Sequence, residues 1–543
     1  MNTTGSRQRS TDDGKNSMGA LSVFSMADYQ PVPGDFWLED TSGKELKIVL
    51  NRDKFLKFLQ GNGFHKYYRP NNDFIYVRVL DHIVDPVEIP QIKDFVIEYA
   101  RTLDYMNADL LAETLLRGSN HYFSEGFLAF LEPVKLKFKE DTAKETYIYF
   151  QNSIVRVSAD GIEEIGYETL KLYIWRKQII PRDYVPADHS ECDFDRFIKN
   201  ITGYSKNPDR GAAITSALGY LINRHKDPSR AKVIVLMDEQ MSDDGDEAQG
   251  GTGKSLVIKA LAMLRNIVTE PGSLFDIGQR FALSNVDLDT DIFALDDISR
   301  KFDFKRMFPL ITGDWSIDDK HVKRFVIPFH DAPKIAITTN YTIPQTEASY
   351  LRRLFEIELT EHYNKDFTPR DDFGRILFDD WDAVEWKRFD NFMLHCVWNY
   401  HVNGLIPYNE HNILKRKLID STSRDFIEFA EMNLAKEDGT PDYGRYETSG
   451  LYESFLETNP TYKRWLRIHT FAKWCRLWVE HNGAFYQTKQ ERAGGVRCSF
   501  LHISENPNFD SQEIKWLSTS TYTKIQSGLP FAVDKFPDLK NKQ

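Results

Sequence analysis

The sequence predicts an α/β protein built around a buried parallel sheet, and three observations support this prediction. A short, apolar, β-branched run, Ala231–Met237, leads into a glycine-rich loop and then into a helical segment, Ser255–Arg265. Two further apolar runs, Asp291–Asp297 and Lys334–Asn340, each end in polar residues. A fourth run, Leu354–Thr360, also reads as a strand. Short, continuous apolar runs of this kind are typical of strands that are covered by helices on both faces.

The composition is that of a large globular protein. The chain has 543 residues, of which 41% are hydrophobic and 28% charged, which leaves room for about three or four domains. We expect neither a membrane span nor a signal peptide, since no long apolar run is present. The net charge of −12 disfavours general coating of nucleic acid but allows a local basic channel. Four widely separated cysteines match no metal spacing and are expected to be reduced thiols in the cytoplasm: Cys192, Cys396, Cys475 and Cys498.

Shifts in composition and periodicity divide the chain into six predicted segments. They are a disordered tail (1–30), an α+β domain (31–190), a helical collar (191–230), an α/β core (231–375), a helical segment packing on the core (376–433) and a winged-helix-like domain (434–543). The α+β domain shows alternating, strand-like runs at Phe74–Leu80 and Tyr147–Val157 and helical spacing over Ile92–Leu116. It contains no Asp-x-Asp or His-x-His pair, so we expect neither primase nor nicking chemistry there. The stretch Pro181–Asp193 is typical of a linker.

The last segment has the element order of a winged helix. Helices are predicted at Gly450–Thr458 and Ile468–His481, and a hairpin with a Gly-Gly turn is predicted at Tyr486–Ile503. Five basic residues occur here with no acidic residue between them, and two more flank the turn: Lys463, Arg464, Arg467, Lys473, Arg476, Arg492 and Arg497. Both a phosphate-binding patch and an ordinary solvated helix face remain open interpretations.

The glycine-rich loop reads AQGGTGKS, from Ala248 to Ser255. Backbone N–H groups of such a loop cradle phosphate, and the following helix adds a favourable dipole. Lys254 would reach the β- and γ-phosphates, and the Ser255 hydroxyl would bind Mg²⁺. The predicted nucleotide-binding residues are Gly250, Gly251, Thr252, Gly253, Lys254 and Ser255. Ala248 replaces the usual first glycine, so the alternative is a glycine-rich turn before an ordinary helix.

An acidic run precedes the loop and would repel a nucleotide if it pointed inward. We expect its four carboxylates to lie in an exposed loop that is turned away from the phosphates: Asp243, Asp244, Asp246 and Glu247.

Two further strands of the predicted sheet end in candidate catalytic residues. Asp296 and Asp297 end one strand, and Asn340 ends another. Ligands of parallel α/β sheets bind at the carboxyl ends of the strands, so these side chains should meet at one edge. Asp296 would hold Mg²⁺, Asp297 would orient or deprotonate an attacking water, and Asn340 would contact the γ-phosphate or that water. Ordinary strand-to-loop turns remain the alternative for both sites.

Between these strands lies a predicted hairpin with a charged tip. Its strands are Trp315–Ile317 and Arg324–Phe329, and Asp318-Asp319-Lys320-His321 connects them. A lysine and a histidine offer donors and a small stacking face to a phosphodiester backbone. The alternative is an exposed charged turn, which Asp318 and Asp319 support.

These motifs, taken in order, resemble the superfamily 3 helicases, which are hexameric P-loop AAA+ motors of small viruses, phages and mobile elements. GGTGKS is followed by FALDD, by the SIDDKH hairpin and by KIAITTN. The flanking segments resemble the poxvirus- and phage-type helicases that follow a primase domain. The resemblance implies that Lys320 and His321, with Lys323 beside them, track single-stranded DNA. It also implies an arginine finger in RRLFEIELT, with Arg353 as the first candidate and Arg352 as the second.

The resemblance implies a ring-forming, ATP-dependent DNA helicase that unwinds DNA during replication of a phage or mobile element. ATP and Mg²⁺ would be the substrate and cofactor, and single-stranded and forked DNA the partners. We expect a homo-oligomer, with six subunits as the family's number, in the cytoplasm of a bacterial host and without a membrane partner. A separate primase or polymerase is a candidate partner. The alternatives are an origin-binding initiator and an AAA+ remodelling or packaging ATPase that does not separate strands.

Overall fold

The computed structural model describes residues 29–505 except 44, 70–72, 240–250, 301, 319–323, 342, 344–349, 351, 409–410 and 494–495. The predicted disordered tail, residues 1–30, lies almost entirely outside this part of the chain. The described residues form a mixed α/β structure with one five-stranded parallel sheet, further smaller sheets and many helices. The prediction of an α/β fold with a parallel sheet is confirmed at this level.

The N-terminal part of the chain combines two four-stranded sheets with a group of helices. Its elements are β1 (Trp37–Asp40), β2 (Lys47–Leu50), α1 (Arg52–Gly61), β3 (Phe64–Tyr68), β4 (Phe74–Leu80), β5 (Ile83–Val87), α2 (Ile89–Thr102), α3 (Ala108–Arg117), α4 (Ser119–Tyr122), α5 (Glu125–Leu128), β6 (Glu145–Phe150), β7 (Ile154–Ser158), β8 (Gly161–Ile165), β9 (Ile174–Trp175) and β10 (Ile179–Ile180). The two sheets have the strand orders β3-β4-β5-β9 and β10-β6-β7-β8. An apolar core joins α1, α2 and α3.

Two elements of this part differ from their predictions. The helix predicted over Ile92–Leu116 is two helices, α2 and α3, because the backbone becomes extended at Leu103 (ψ 135°). The strand-like run Tyr147–Val157 is an antiparallel hairpin, in which the Phe150 N–H donates to the Ser153 carbonyl at 2.8 Å. Periodicity located the apolar faces, but it did not reveal turns of only a few residues.

The middle of the chain builds the parallel sheet and the helices around it. Its elements are α6 (Asp193–Thr202), α7 (Pro208–Ile222), β11 (Val233–Asp238), α8 (Lys254–Ala262), β12 (Ile267–Pro271), β13 (Ile292–Ile298), α9 (Phe308–Thr312), β14 (Trp315–Ile317), β15 (Phe325–Ile327), β16 (Lys334–Thr339), β17 (Leu354–Leu359), α10 (Pro369–Phe373), α11 (Ala383–Asn403) and α12 (His411–Ser421). The sheet order is β12-β13-β16-β11-β17, and every neighbouring pair is parallel.

Both faces of this sheet are buried, as the apolar strands predict. In β11, Val233, Val235 and Met237 enter one core, whereas Ile234 and Leu236 enter the other. The second core also holds side chains of α6, α7, α8 and α11. The helices predicted as a collar therefore share a core with the sheet itself.

The predicted linker Pro181–Asp193 is largely irregular, but it is firmly attached to α11. The Arg182 guanidinium contacts the Asp390 carboxylate through two nitrogens, at 2.9 Å from Nε and 2.5 Å from Nη2. Tyr184 and Cys192 are buried, and the Tyr184 hydroxyl donates to Asn391 at 3.1 Å. The segment is therefore not a freely hanging linker, because an ion pair and buried side chains attach it to the neighbouring helix.

The C-terminal part has its own core. Its elements are α13 (Arg424–Leu434), β18 (Gly444–Glu447), α14 (Thr448–Thr458), α15 (Ile468–His481), β19 (Phe485–Ala493) and β20 (Val496–Ser504), with sheet order β18-β20-β19. The two helices and the hairpin are confirmed, and β18 was not predicted. Phe426 and Phe429 of α13 pack with Phe471 of α15, so this core begins before residue 434, where the sequence placed the boundary.

Two further expectations concern the whole chain. The four cysteines lie outside disulfide bonds, and Cys192, Cys396 and Cys475 are buried. None of the described helices is both long enough and apolar enough to cross a lipid bilayer.

Candidate active site

The glycine loop joins the carboxyl end of β11 to the amino end of α8. Of the predicted loop residues, Gly250 lies outside the described residues, as do Ala248 and the acidic run, so the expected orientation of that run stays a prediction. Gly251 and Gly253 have positive φ angles of 126° and 96°. Residues that carry a Cβ rarely adopt such backbone angles. A Cβ on Gly253 would also lie 2.5 Å from Cζ of Phe197 in α6. The loop therefore requires glycine at position 253 for two separate reasons.

Lys254 begins α8 and is held by three oxygen atoms. Its Nζ donates to Asp238 Oδ2 at 2.5 Å, to Asn340 Oδ1 at 2.7 Å and to Thr252 Oγ1 at 3.2 Å. The Thr252 hydroxyl in turn donates to Asp238 Oδ1 at 2.6 Å. Lys254 and Asp238 are both buried, so the ammonium group is neutralised by a carboxylate of its own chain.

Sequence reasoning missed Asp238 as a site residue, and this carboxylate belongs to the last residue of β11. The available signal was its position, since a carboxylate ending a buried parallel strand lies at the ligand-binding edge of the sheet.

Ser255 and Asp296 lie side by side, as their predicted role as magnesium ligands requires. The Ser255 hydroxyl lies 3.0 Å from Asp296 Oδ2 and 3.2 Å from Oδ1. Thr338, at the end of β16, donates its hydroxyl to Asp296 Oδ1 at 2.5 Å. Sequence reasoning missed Thr338, because a threonine within a β-branched strand reads as an ordinary strand residue.

Asp297 and Asn340 face each other across the end of the sheet. Asn340 Nδ2 donates to Asp297 Oδ1 at 3.1 Å, and the Asp297 N–H donates to the Thr338 hydroxyl at 2.7 Å. Asp297 has a left-handed backbone (φ 59°), and the pairing of β13 with β16 shifts register between Leu295 and Ile298. A non-glycine residue in this region costs about 1 kcal/mol or more, and such residues cluster at functional sites.

These residues surround one cavity of about 400 Å³ at the carboxyl edge of the parallel sheet. Its lining consists of Gly251, Thr252, Gly253, Lys254, Ser255, Leu256, Asp296, Asp297, Thr338, Asn340 and Pro369. The structure thus brings together every described residue predicted to contact nucleotide or magnesium. The lining combines glycine-loop N–H groups, an ammonium group and carboxylates, which suits a phosphate ester bound with a divalent cation.

The residues also fit a magnesium ion that is shared with a substrate. Mg²⁺ prefers oxygen ligands and is usually held by one or two carboxylates together with substrate phosphates. Ser255 and Asp296 supply a hydroxyl and a carboxylate at one point. Among the described residues, no group of three or more His, Cys, Asp or Glu side chains forms a metal site on its own.

Arg353 lies at the amino end of β17, whereas the cavity lies at the carboxyl ends of the strands. It precedes β17, whose first residue, Leu354, pairs with Val233 at the start of β11. The Lys254 partner Asp238 lies at the opposite end of β11, opposite Leu359. A strand of this length spans roughly 16–20 Å. Arg353 therefore lies far from the cavity of its own chain, and its guanidinium lies 4.6 Å from the Phe308 ring centroid. Arg352 is exposed.

The tip of the predicted DNA-binding hairpin, with Lys320, His321 and Lys323, lies outside the described residues. Its base is described and is an antiparallel pair in which Trp315 pairs with Ile327. Trp315 is buried, and its indole N–H donates to the Leu310 carbonyl at 2.8 Å. The hairpin is therefore firmly attached to the core at its base.

A buried ionic network lies behind the glycine loop, and the sequence did not indicate it. Glu358 of β17 pairs with Arg210 of α7 at 3.5 Å and with Arg416 of α12. Arg416 Nη1 also donates to the Asp238 carbonyl at 2.6 Å. Burial raises the pKa of Glu358, and the two arginines oppose this shift. The helix that leads to the C-terminal part thus contacts the residue that holds Lys254.

Comparisons with known proteins add little to this geometry. The sequence matches no protein-family model, and no curated protein matches it. One similar solved structure is "The A form apo structure of NrS-1 C terminal region-CTR", at 12% identity and a TM-score of 0.41. The similarity covers 83% of this chain and 99% of that one. At this distance, function has to be inferred from the site itself.

Proposed function

We propose that this protein is an ATP-driven, ring-forming AAA+ motor of the superfamily 3 helicase type, which unwinds DNA in the replication of a phage or mobile element. The observation that carries the proposal is the convergence of Lys254, Ser255, Asp296, Asp297 and Asn340 on one cavity. These residues come from three separate strand ends, so their meeting does not follow from proximity along the chain.

The strand order supports a nucleotide site at the carboxyl edge of the sheet. If the strand before the glycine loop is counted as strand 1 and the others follow in chain order, the sheet runs 5-1-4-3-2. The strand that precedes Asn340 then lies between the glycine-loop strand and the strand that carries Asp296 and Asp297. Asn340 is therefore within reach of both Lys254 and Asp297, and it contacts each of them.

The chain's own residues divide the work on ATP. Lys254 and the loop N–H groups hold the β- and γ-phosphates, and Ser255 with Asp296 holds Mg²⁺. When bound, Mg²⁺ neutralises charge on the phosphate oxygens. Asp297 accepts a hydrogen bond from the attacking water, and Asn340 restrains the Asp297 carboxylate. Because Asp238 holds Lys254, the arriving phosphates have to compete with this carboxylate for the ammonium group.

The position of Arg353 supports a ring. Arg353 lies at the amino end of β17 and cannot reach the cavity of its own chain. It can stabilise the transition state only in the cavity of a neighbouring subunit. Fingers of this kind supply about 10³–10⁵ in rate. Hydrolysis would then move the hairpin with Lys320, His321 and Lys323 along single-stranded DNA.

The C-terminal part supports an accessory contact with DNA. Helix α13, strand β18, helices α14 and α15 and the β19–β20 hairpin follow the element order of winged-helix domains. The antiparallel order β18-β20-β19 supports the same assignment.

ATP turnover, measured with and without single-stranded DNA, tests this proposal. We expect DNA-stimulated turnover in the wild type and a loss of at least about 100-fold in Lys254→Ala. Lys259→Ala is the matched control, since Lys259 lies on the same helix in an exposed pair with Asp379 at 2.9 Å. Asp296→Asn should raise the Mg²⁺ concentration that is needed for half-maximal turnover.

The outcomes separate the competing functions. Equal turnover in the wild type and Lys254→Ala would refute an ATPase at this site. Turnover that is indifferent to DNA would favour a remodelling or packaging ATPase. DNA binding without any turnover would favour an initiator.

A further inference from the structure

We propose that Trp465 and the basic residues around it form a stacking platform for single-stranded DNA on the C-terminal part of the chain. The Trp465 side chain is 57% exposed, although most large aromatic side chains of this part are buried. It lies between a short 3₁₀ turn, Pro460–Arg464, and α15. Tryptophan side chains are enriched at binding interfaces, so an indole held open to solvent points to a partner that covers it.

The platform is rigid on its inner side. The Trp465 ring packs on Tyr462, with 5.1 Å between the centroids, and on the buried Trp474, at 6.0 Å. The Tyr462 hydroxyl donates to Asp425 at 2.9 Å, which fixes the supporting ring to α13. The outer face of Trp465 therefore stays open while its inner face rests on two aromatic rings.

The backbone beneath the platform is also held in place. The N–H groups of Trp465 and Leu466 both donate to the Tyr462 carbonyl, at 3.2 and 2.9 Å. Leu466 is buried, and its carbonyl accepts a hydrogen bond from the Tyr452 hydroxyl at 2.8 Å. A side chain that is ordered before binding loses little entropy on binding, so the platform is prepared to receive a ring.

The chain on both sides of Trp465 carries exposed cations. Lys463, Arg464, Arg467 and Lys473 are all exposed. In the part of the chain that the structure describes, none of these four cations lies within ion-pair distance of a carboxylate. Arg476, by contrast, pairs with Glu480 at 3.1 Å. Four exposed cations within eight residues of an open aromatic ring, in a protein of net charge −12, favour a polyanion as the partner.

The chemistry favours a single-stranded nucleic acid among the polyanions, and the proposed function makes that strand DNA. Binding without sequence preference combines a basic surface for the phosphates with aromatic rings on which unpaired bases stack. A continuous duplex offers no base face, and an acidic peptide offers no planar ring system at each repeat. The inference rests on DNA as the partner in the proposed function, but it does not require ATP turnover.

Cross-linking of the full-length chain tests the platform directly. An oligodeoxythymidylate that carries 5-iododeoxyuridine is bound without nucleotide and irradiated, and the modified peptides are identified by mass spectrometry. We expect a cross-link at Trp465. Cross-links elsewhere, with none on the peptide that contains Trp465, would overturn the proposal.

Affinity for a fluorescent oligodeoxythymidylate gives the second measurement. Loss of one stacked base by alanine substitution corresponds to a weakening of about 5- to 150-fold, so we expect this for Trp465→Ala. Trp465→Phe keeps a stacking face and should stay within about threefold of the wild type. Met432→Ala removes another exposed apolar side chain of the same part of the chain and should change nothing.

Salt dependence tests the role of the cations. Each lost phosphate contact should reduce the slope of log affinity against log salt by about 0.7 for a single strand. We expect this for Lys463→Ala and for Arg464→Ala. Lys415 is an exposed lysine that pairs with Glu431 at 4.0 Å, so the control Lys415→Ala should keep the wild-type slope.

Affinities of Trp465→Ala equal to the wild type would refute the stacking role. Absence of ATP turnover together with a cross-link at Trp465 would refute the proposed ATPase function and support the stacking platform. DNA-stimulated turnover without this cross-link would support the ATPase function and refute the stacking platform.

Discussion

The ammonium group of Lys254 lies 2.5 Å from the Asp238 carboxylate, and both side chains are buried. Asp238 ends the strand before the glycine loop, and Lys254 begins the helix after it. The pair therefore joins the two ends of the glycine loop and holds Lys254 beside Asn340. In the proposed function, a nucleotide has to take over this ammonium group from Asp238.

Asp238→Asn should lower the stability of the nucleotide-free protein and increase the stabilisation that nucleotide provides. Asparagine keeps a hydrogen bond but leaves the buried Lys254 charge without its counter-ion. We expect the free energy of unfolding to fall by about 1–3 kcal/mol. The thermal shift on addition of ATP and Mg²⁺ should exceed that of the wild type, because no carboxylate competes with the phosphates. Asp379→Asn, which breaks an exposed pair, should cost less than about 1 kcal/mol. A smaller nucleotide-induced shift in Asp238→Asn would contradict the competition.

Arg353→Ala should lose turnover by about 10³-fold or more and should be rescued in mixed rings. A ring that mixes Arg353→Ala with Lys254→Ala contains interfaces where an intact Lys254 faces an intact Arg353. Turnover of the mixture should exceed the sum of the two separate preparations. Arg352→Ala serves as the control for loss of a neighbouring positive charge. Absence of rescue in well-folded mixtures would argue that Arg353 does not act across a subunit interface.

Gly253→Ala should destabilise the glycine loop more than a comparable change elsewhere. The added Cβ would meet a positive φ of 96° and would lie 2.5 Å from the Phe197 ring. We expect a loss of about 2–4 kcal/mol, because backbone strain and overpacking add. Gly374→Ala has a positive φ of 66° but open space, so only the strain of about 1 kcal/mol should remain. Urea unfolding compares the two variants, and equal losses would show that contact with Phe197 contributes nothing.

Acid should destabilise the C-terminal part through His502. Burial lowers the pKa of this histidine to about 4, and nearby Glu491 opposes the shift. The unfolded chain, with an ordinary value of about 6.5, binds the proton more readily than the folded one. Stability is therefore lost as the pH falls from about 6.5 to 4, by about 3 kcal/mol in total. His502→Gln should flatten this part of the profile, whereas replacement of the exposed His469 should leave it intact.

Local pattern predicted the elements of the site well. The apolar runs located β11, β13, β16 and β17 to within a residue or two. The motif and its spacing selected Lys254, Asp296 and Asn340, because parallel strands place their carboxyl ends on one edge whatever their order. Turns were harder to predict, as the break at Leu103 and the hairpin within Tyr147–Val157 illustrate. A few residues decide a turn, and they barely disturb the periodicity on either side.

The burial of the strands, the position of the glycine loop and the polar residues at the strand ends can be predicted from neighbours along the chain. The partners of those residues depend on contacts between distant parts of the chain: Asp238 for Lys254, Thr338 for Asp296 and Arg416 for the Asp238 carbonyl. These pairs are 16, 42 and 178 residues apart, so no local pattern specifies them. Folding brings them together because a buried charge or polar group must find a partner in the core that surrounds it.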